Sequence, residues 1–141
     1  IAGYDGGNTS NPTYEQVSSG TTQYVESVKV IYDPAKVDYP KLLDYFFHHI
    51  DPTVKDAQFC DEGPQYRTVV FYLNDQQKHQ GLAYIDKIKK YFPQVYTEVT
   101  ASTQFYPAEE YHQDYYKKNP KRYAFYRWKC GRDARVKEVW Q

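Results

Sequence analysis

Stretches with a two-residue apolar period alternate with stretches of helical period, and this interleaving constrains the fold more than any other feature of the chain. Thr22 to Tyr32 ("TQYVESVKVIY") reads as a strand, with Val28, Val30 and Tyr32 on one face and Lys29 opposite. Asp33-Pro34 ends it. Asp38 is placed to cap a helix over Tyr39 to Ile50, where Leu42, Leu43, Phe46 and Ile50 form an apolar stripe. Tyr66 to Leu73 ("YRTVVFYL") is the clearest strand. Asn74 or Asp75 then caps a helix through Tyr91, with Leu82, Ile85 and Ile88 facing inward. Pro93 stops that helix, and Val95 to Thr100 alternates as a third strand. A short helix around Ala108 to Lys117 is ended by Asn119-Pro120, and a basic, aromatic tail runs to Trp140. The pattern predicts an α+β class: a two-layer α/β sandwich with a small mixed sheet, helices packed on it, and long functional loops. Three strands are few for that much helix, so a further strand before Ile1 is expected.

The 141 residues suit one domain spanning 1–141, and no repeat or linker divides them. Eighteen basic and eighteen acidic residues cancel, which removes the electrostatic case for nucleic acid as a partner. No apolar run approaches the length of a membrane span, so no membrane partner is expected either. No set of histidines and carboxylates has metal-ligand spacing, and no cofactor is expected. Cys60 and Cys130 are the only cysteines. A structural disulfide, two buried thiols and a redox pair all remain open for them.

Irregular segments separate the predicted elements, and each carries tyrosine together with an acid or an amide. The first is "YDGGNTSNPTYEQV" (Tyr4 to Val17), which is turn chemistry almost throughout and holds Tyr4 and Gln16. The second, ending near Pro64, brings Asp61 close to Tyr66. The third leads through His112-Gln113-Asp114 to Tyr115. Seventeen tyrosines and no methionine make the composition unusual. A phenol buries a large ring and keeps a polar tip, so it serves a core edge or an aromatic-lined wet pocket equally well. Long loops in a compact domain commonly carry function. A composite polar and aromatic pocket is therefore one reading, and three solvated loops with packed rings is the other.

Four ordered stretches decide between them. "GYDGGNTSNPTYEQVSSGTTQYVE" (Gly3 to Glu26), "HIDPT" (His49 to Thr53), "CDEGPQYR" (Cys60 to Arg67) and "FYPAEEYHQDYYKKNP" (Phe105 to Pro120) resemble the successive signatures of A-type peptide methionine sulfoxide reductases. The tail "RYAFYRWKCGRD" is similar to the C-terminus of one bacterial branch. The resemblance implies thiol-dependent reduction of methionine S-sulfoxide, free or in proteins, with a sulfenic acid intermediate and thioredoxin as reductant. It also implies a monomer in the cytoplasm, although some members are exported or periplasmic. In this family the nucleophilic cysteine opens a helix in a Gly-Cys-Phe-Trp motif. That motif is expected upstream of Ile1, which would make the domain N-terminally incomplete and residues 1–141 inactive alone. A non-catalytic binding module with a tyrosine-lined pocket, or an inactive fragment, is the alternative.

By the same resemblance, Tyr4 and Tyr66 would donate phenol O–H groups to the sulfoxide oxygen, while Asp61 and Tyr115 would hold the surrounding hydroxyl and water network. The position that is usually the proton-donating glutamate is Gln16, and a carboxamide cannot donate a proton at neutral pH. Glu15 beside it would point elsewhere in an extended chain. The family's Thr-Gly-His-Ala-Glu becomes Thr22-Gln23-Tyr24-Val25-Glu26, with Glu26 expected as a buried partner of its loop. Cys130, between Lys129 and Arg132 in a segment rich in cations, is preferred as the resolving cysteine, with Cys60 as the alternative. His112 reads as a structural hydrogen-bonding residue.

Overall fold

The computed structural model describes residues 1–7, 11–19, 22–59, 61–109, 113, 121–123, 127 and 130–140. Its strands are β1 (Ala2–Asp5), β2 (Val25–Val28), β3 (Ala57–Gln58), β4 (Asp61–Glu62), β5 (Val69–Tyr72), β6 (Glu98–Ala101) and β7 (Tyr106–Pro107). Its helices are α1 (Tyr14–Ser18), α2 (Tyr39–Phe47), α3 (Asp75–Ile88) and α4 (Arg132–Trp140), with a 3-10 turn over Pro64–Tyr66. The α+β class holds. Strand pairing among the described residues falls into an antiparallel sheet of order β2-β1-β7, an antiparallel pair β3-β4 and a parallel pair β5-β6.

The two long helices start where the sequence places their caps. The Asp38 carboxylate accepts from Lys41 N at 2.9 Å, and Pro40 fits the first turn, where its missing N–H costs nothing. The Asn74 side chain accepts from Gln77 N at 2.9 Å, which makes Asn74 the cap and Asp75 the first helical residue. Leu43, Phe47 and Ile50 from α2 and its exit meet Ile85 and Ile88 of α3 in one buried cluster. Val70 of β5 and Val99 of β6 close it from the parallel pair. Gly81 lets α3 approach that pair: a Cβ there would lie 3.1 Å from Val99 Cγ1. The buried stripe of α3 is therefore Gly81, Ile85 and Ile88, and Leu82, one residue off that stripe, is exposed.

Three elements differ from the sequence reading. The strand expected over Thr22 to Tyr32 is confined to β2, and Val28 and Val30 are exposed rather than inward. Among the described residues β2 is the edge of its sheet, paired with β1 over Val25–Val28, and Lys29 N still donates to Ile1 O at 2.7 Å just beyond it. The strand expected from Tyr66 begins only at Val69, because Pro64–Tyr66 forms the 3-10 turn. The opening stretch, read as loop, contains both β1 and α1.

The C-terminal segment, read only as a basic, aromatic tail, holds α4. Trp140 Nε1 donates to Ile50 O at 2.9 Å, and its ring meets Phe92 edge-on at 5.1 Å. Arg135 Nε lies 2.7 Å from Asp51 Oδ2. These contacts seal the exit of α2. The helix expected over Ala108 to Lys117 lies mostly outside the described residues.

Candidate active site

The site is built on the antiparallel sheet. β1 pairs with β2 so that Tyr4 faces Glu26 and Ala2 faces Val28, and β7 sets Tyr106 against the other side of Tyr4. Residues directly opposite in a pair project from the same face, so this register aligns Glu26, Tyr4 and Tyr106 in one row. Tyr4 and Tyr24 are each 2% exposed and form a second buried cluster with Val17, joined by Tyr14, Tyr106 and Ala108. The Tyr24 ring meets Tyr106 edge-on at 6.0 Å. Gly3 is required where it stands, because a Cβ there would fall 2.3 Å from Phe105 Cζ.

Buried and half-buried amide and carboxyl groups hold this arrangement. Asp5 closes β1 by accepting from Gly6 N at 2.6 Å, Ser102 Oγ at 2.6 Å and Thr103 N at 3.1 Å. Gln113 bonds along β1 like a short extra strand, accepting from Ala2 N at 2.9 Å and donating to Ala2 O at 2.8 Å. Glu109 accepts from Tyr14 N at 3.1 Å and from the Tyr4 hydroxyl at 3.4 Å, tying α1 to β1.

Beside this cluster opens a cavity of about 260 Å³ whose walls include Tyr4, Tyr14, Glu26, Ser27, Val28 and Ala108. The 3-10 turn packs against β2 and brings Tyr66 into the field of Glu26, Asp61 and Tyr14. Burial first, then the charges of Glu26 and Asp61, push the Tyr66 phenol up to about 12. Burial and the same two carboxylates also raise Tyr14. Both phenols therefore stay protonated near neutral pH and act as O–H donors. Glu26 is raised to about 6, by crowding of its carboxyl among protein atoms and then by Asp61. The cavity thus offers phenol donors and a weak acid beside aromatic and aliphatic walls. That suits a small group with one polar oxygen and an apolar remainder.

The residues expected from sequence divide accordingly. Tyr4 lines the cavity, and Asp61 and Tyr66 lie close enough to its Glu26 and Tyr14 to share their field. Gln16 does neither: it is exposed on α1, its Oε1 accepting from Thr13 N at 2.9 Å while Thr13 Oγ1 accepts from Gln16 N at 3.2 Å. This is a capping box, and Thr13-x-x-Gln16 was its legible signature. Glu15 is likewise exposed, in a helix rather than an extended chain. Glu26 lies exposed on the cavity wall rather than buried, because its strand is the sheet edge. Tyr14 and Glu109 were missed as site residues, although both stand inside the quoted motifs. Tyr115, His112 and Cys60 lie outside the described residues. Cys130 is disulfide-bonded. Close by, the Arg132 guanidinium stacks 4.3 Å from the Phe59 ring centre and feels the charge of Asp61, so the segment after Cys130 sits beside the site.

A sheet-borne, phenol-lined cavity with a weak acid is a site for a small polar group, and the comparisons give the family. The sequence pattern of peptide methionine sulfoxide reductase matches residues 1–141, and the chain belongs to that family, oxidoreductases of protein repair. It is 46% identical over 142 residues to the peptide methionine sulfoxide reductase MsrA/MsrB of Vibrio cholerae, covering 99% of this chain but only 38% of that protein. It is 43% identical to the MsrA of Bacillus licheniformis, covering 99% of this chain and 78% of that one. Among solved structures, methionine sulfoxide reductase A of Corynebacterium diphtheriae superposes with a TM-score of 0.74 at 30% identity, over 84% of this chain and 62% of that one. Mxr1 from Saccharomyces cerevisiae in its reduced form gives 0.81 at 31% identity, over 85% and 70%.

Proposed function

We propose that this domain reduces the S epimer of methionine sulfoxide, free or within proteins, using an attacking thiol supplied from outside residues 1–141. The observation that carries the reading is the cavity between Tyr4, Tyr14 and Glu26, with the protonated Tyr66 and Asp61 at its side. A thiolate attacks the sulfoxide sulfur and the sulfur–oxygen bond breaks. The oxygen takes two protons and leaves as water. Water then adds to the cysteine sulfur of the resulting sulfonium, a proton departs, and methionine and a sulfenic acid remain. An unprotonated oxygen is a poor leaving group, so donors around it control the rate. Tyr4 and Tyr66 supply O–H groups, and Asp61 orders hydroxyls and water between them.

The sulfenic acid condenses with a second thiol to give a disulfide and water. Cys130, disulfide-bonded in the structure, enters this step once reduced, and the position of Arg132 beside Phe59 supports its reach to the site. A thioredoxin-type dithiol restores the thiols. The domain acts as a monomer.

Replacing Tyr66 with Phe keeps the ring and removes one donor. In the protein carrying its attacking thiol, single-turnover loss of the sulfoxide is expected to slow about tenfold or more. An unchanged rate with native circular dichroism removes Tyr66 from the reaction.

A further inference from the structure

We propose that Gln65 is a positioning residue for Tyr66: its buried amide ties the 3-10 turn to α1 and turns the Tyr66 hydroxyl toward the cavity. The proposal rests on the cavity being the sulfoxide site.

Gln65 is the central residue of the 3-10 turn, next to Tyr66, and is only 5% exposed. A buried carboxamide must place both ends of its head group, since neither can turn to water. The Nε2 end donates to Ser18 O, at the last residue of α1, over 3.1 Å. Carbonyls at a helix end lack partners within the helix, so this bond also closes α1. It fixes which way round the amide sits, because a carbonyl accepts only from the nitrogen end. The Oε1 end has no hydrogen-bond partner among the described residues. It lies against Gly63, where a Cβ would fall 2.5 Å away, and the φ of +131° there also favours glycine. A buried acceptor left unmatched weakens a fold, so stability alone does not account for this glutamine.

The helix that holds the amide is itself fixed. Val17 is fully buried, and Glu109 accepts from Tyr14 N at 3.1 Å at the first residue of α1. The amide therefore hangs from an immobile point and reaches the Tyr66 phenol. Burial, then Glu26 and Asp61, hold the proton on Tyr66. The Gln65 hydrogen bond works against them, as a donor to the phenol oxygen does. A hydroxyl whose oxygen accepts from Nε2–H keeps its own hydrogen for a second partner. With Gln65 behind it, that hydrogen is left for the cavity side, toward Tyr14 and Glu26. The same donated bond makes the O–H a better proton source as the sulfoxide oxygen leaves.

The test is a double-mutant cycle in the full-length protein, with N-acetyl-methionine S-sulfoxide methylamide as probe and single-turnover loss of sulfoxide as readout. Gln65→Met keeps the length of the side chain and removes the amide. The saturated rate is expected to fall about tenfold while half-saturation shifts less than about twofold, because an oriented donor acts on the transition state. In a Tyr66→Phe background the same change should alter the rate by less than about twofold, since no hydroxyl remains to be oriented. If Gln65→Met does not fold, Gly63→Ala takes its place, because its methyl displaces the same amide. Equal slowing in both backgrounds, or no slowing, overturns Gln65 as a positioning residue and leaves the cavity reading intact. Loss of native circular dichroism in both variants makes Gln65 part of the scaffold and overturns the proposal too. A Tyr66→Phe protein with the wild-type rate is the other failure: the underlying reading, in which Tyr66 serves the departing oxygen, falls and takes the proposal with it.

Discussion

The two buried clusters of this domain are built from different materials. Leu43, Phe47, Ile50, Ile85 and Ile88 are aliphatic or benzenoid, come from two helices and the exit of one, and leave almost no polar atom to satisfy. Tyr4, Val17 and Tyr24, with Tyr14 and Tyr106 around them, come from strands, a short helix and loops, and carry a hydroxyl on every ring. An apolar cluster gains stability from area removed from water and is indifferent to what lies beyond it. A tyrosine cluster buries comparable ring area and still delivers O–H groups at its margin. The first cluster therefore works as scaffold, and the second is both core and cavity wall. Stability and chemistry should separate between them under mutation.

The sharpest way to break that contrast is Phe47→Ala. The side chain is fully buried, with its ring stacked 4.5 Å from Tyr84, so the change removes transfer energy and leaves a cavity. A loss of about 3–5 kcal/mol in urea unfolding is expected. A loss under about 1 kcal/mol would mean that the helical cluster is not the scaffold.

A smaller effect is expected at Arg135, on the seam that fastens α4 to the same cluster. Asp51 is 2% exposed. Burial alone would raise its pKa, but hydrogen bonds from Thr53 and Arg135 outweigh it and lower the value below the ordinary 3.8. A depressed carboxyl contributes stability above its unfolded pKa and loses it as pH falls through the folded one. Arg135→Ala should therefore cost about 1–3 kcal/mol at pH 7. The gap from wild type should shrink as Asp51 protonates in acid. A gap independent of pH down to 3 would show that Arg135 acts through its aliphatic stem and not through the carboxylate.

The same division governs how much of the molecule could be read from its residues. A helix repeats its apolar positions every three to four residues, so α2, α3 and the scaffold cluster stand out, along with the caps Asp38 and Asn74. Phe47 escaped because two adjacent phenylalanines share the inward side: Phe46, the one expected, packs half-buried against the cluster, while Phe47 is its fully buried member. The tyrosine cluster has no such period. β1 is four residues, Ala-Gly-Tyr-Asp, and looks like a turn until its partners β2 and β7 are known. Tyr4, Asp61 and Tyr66 were legible through the family's motifs, but those motifs do not say which face of β2 is wet. That follows from register, and register is what assigns Glu26 to the cavity.

Gln16→Glu sharpens the contrast with the smallest expected change. It restores the residue type that the family's pattern carries at this position, so a simple reading expects a faster enzyme. The structure argues otherwise. Gln16 occupies the third position of α1, and its Oε1 accepts from Thr13 N at 2.9 Å. A glutamate fills a capping box as well as a glutamine does, so the side chain has no reason to leave the helix end. Its charge would gain about 0.3–1 kcal/mol from the helix dipole. Glu15, next in the same turn, and Glu109, bonded to Tyr14 N, would repel it and offset much of that gain. Stability is expected to move by less than about 0.5 kcal/mol. The single-turnover rate should change by less than about twofold across pH 5 to 8. A variant that is several-fold faster and gains a new acidic limb would mean that a carboxyl at 16 leaves its cap and enters the cavity. The short helix would then be a movable part of the site, and the separation between a cap that stabilises and a wall that reacts would not hold at its edge.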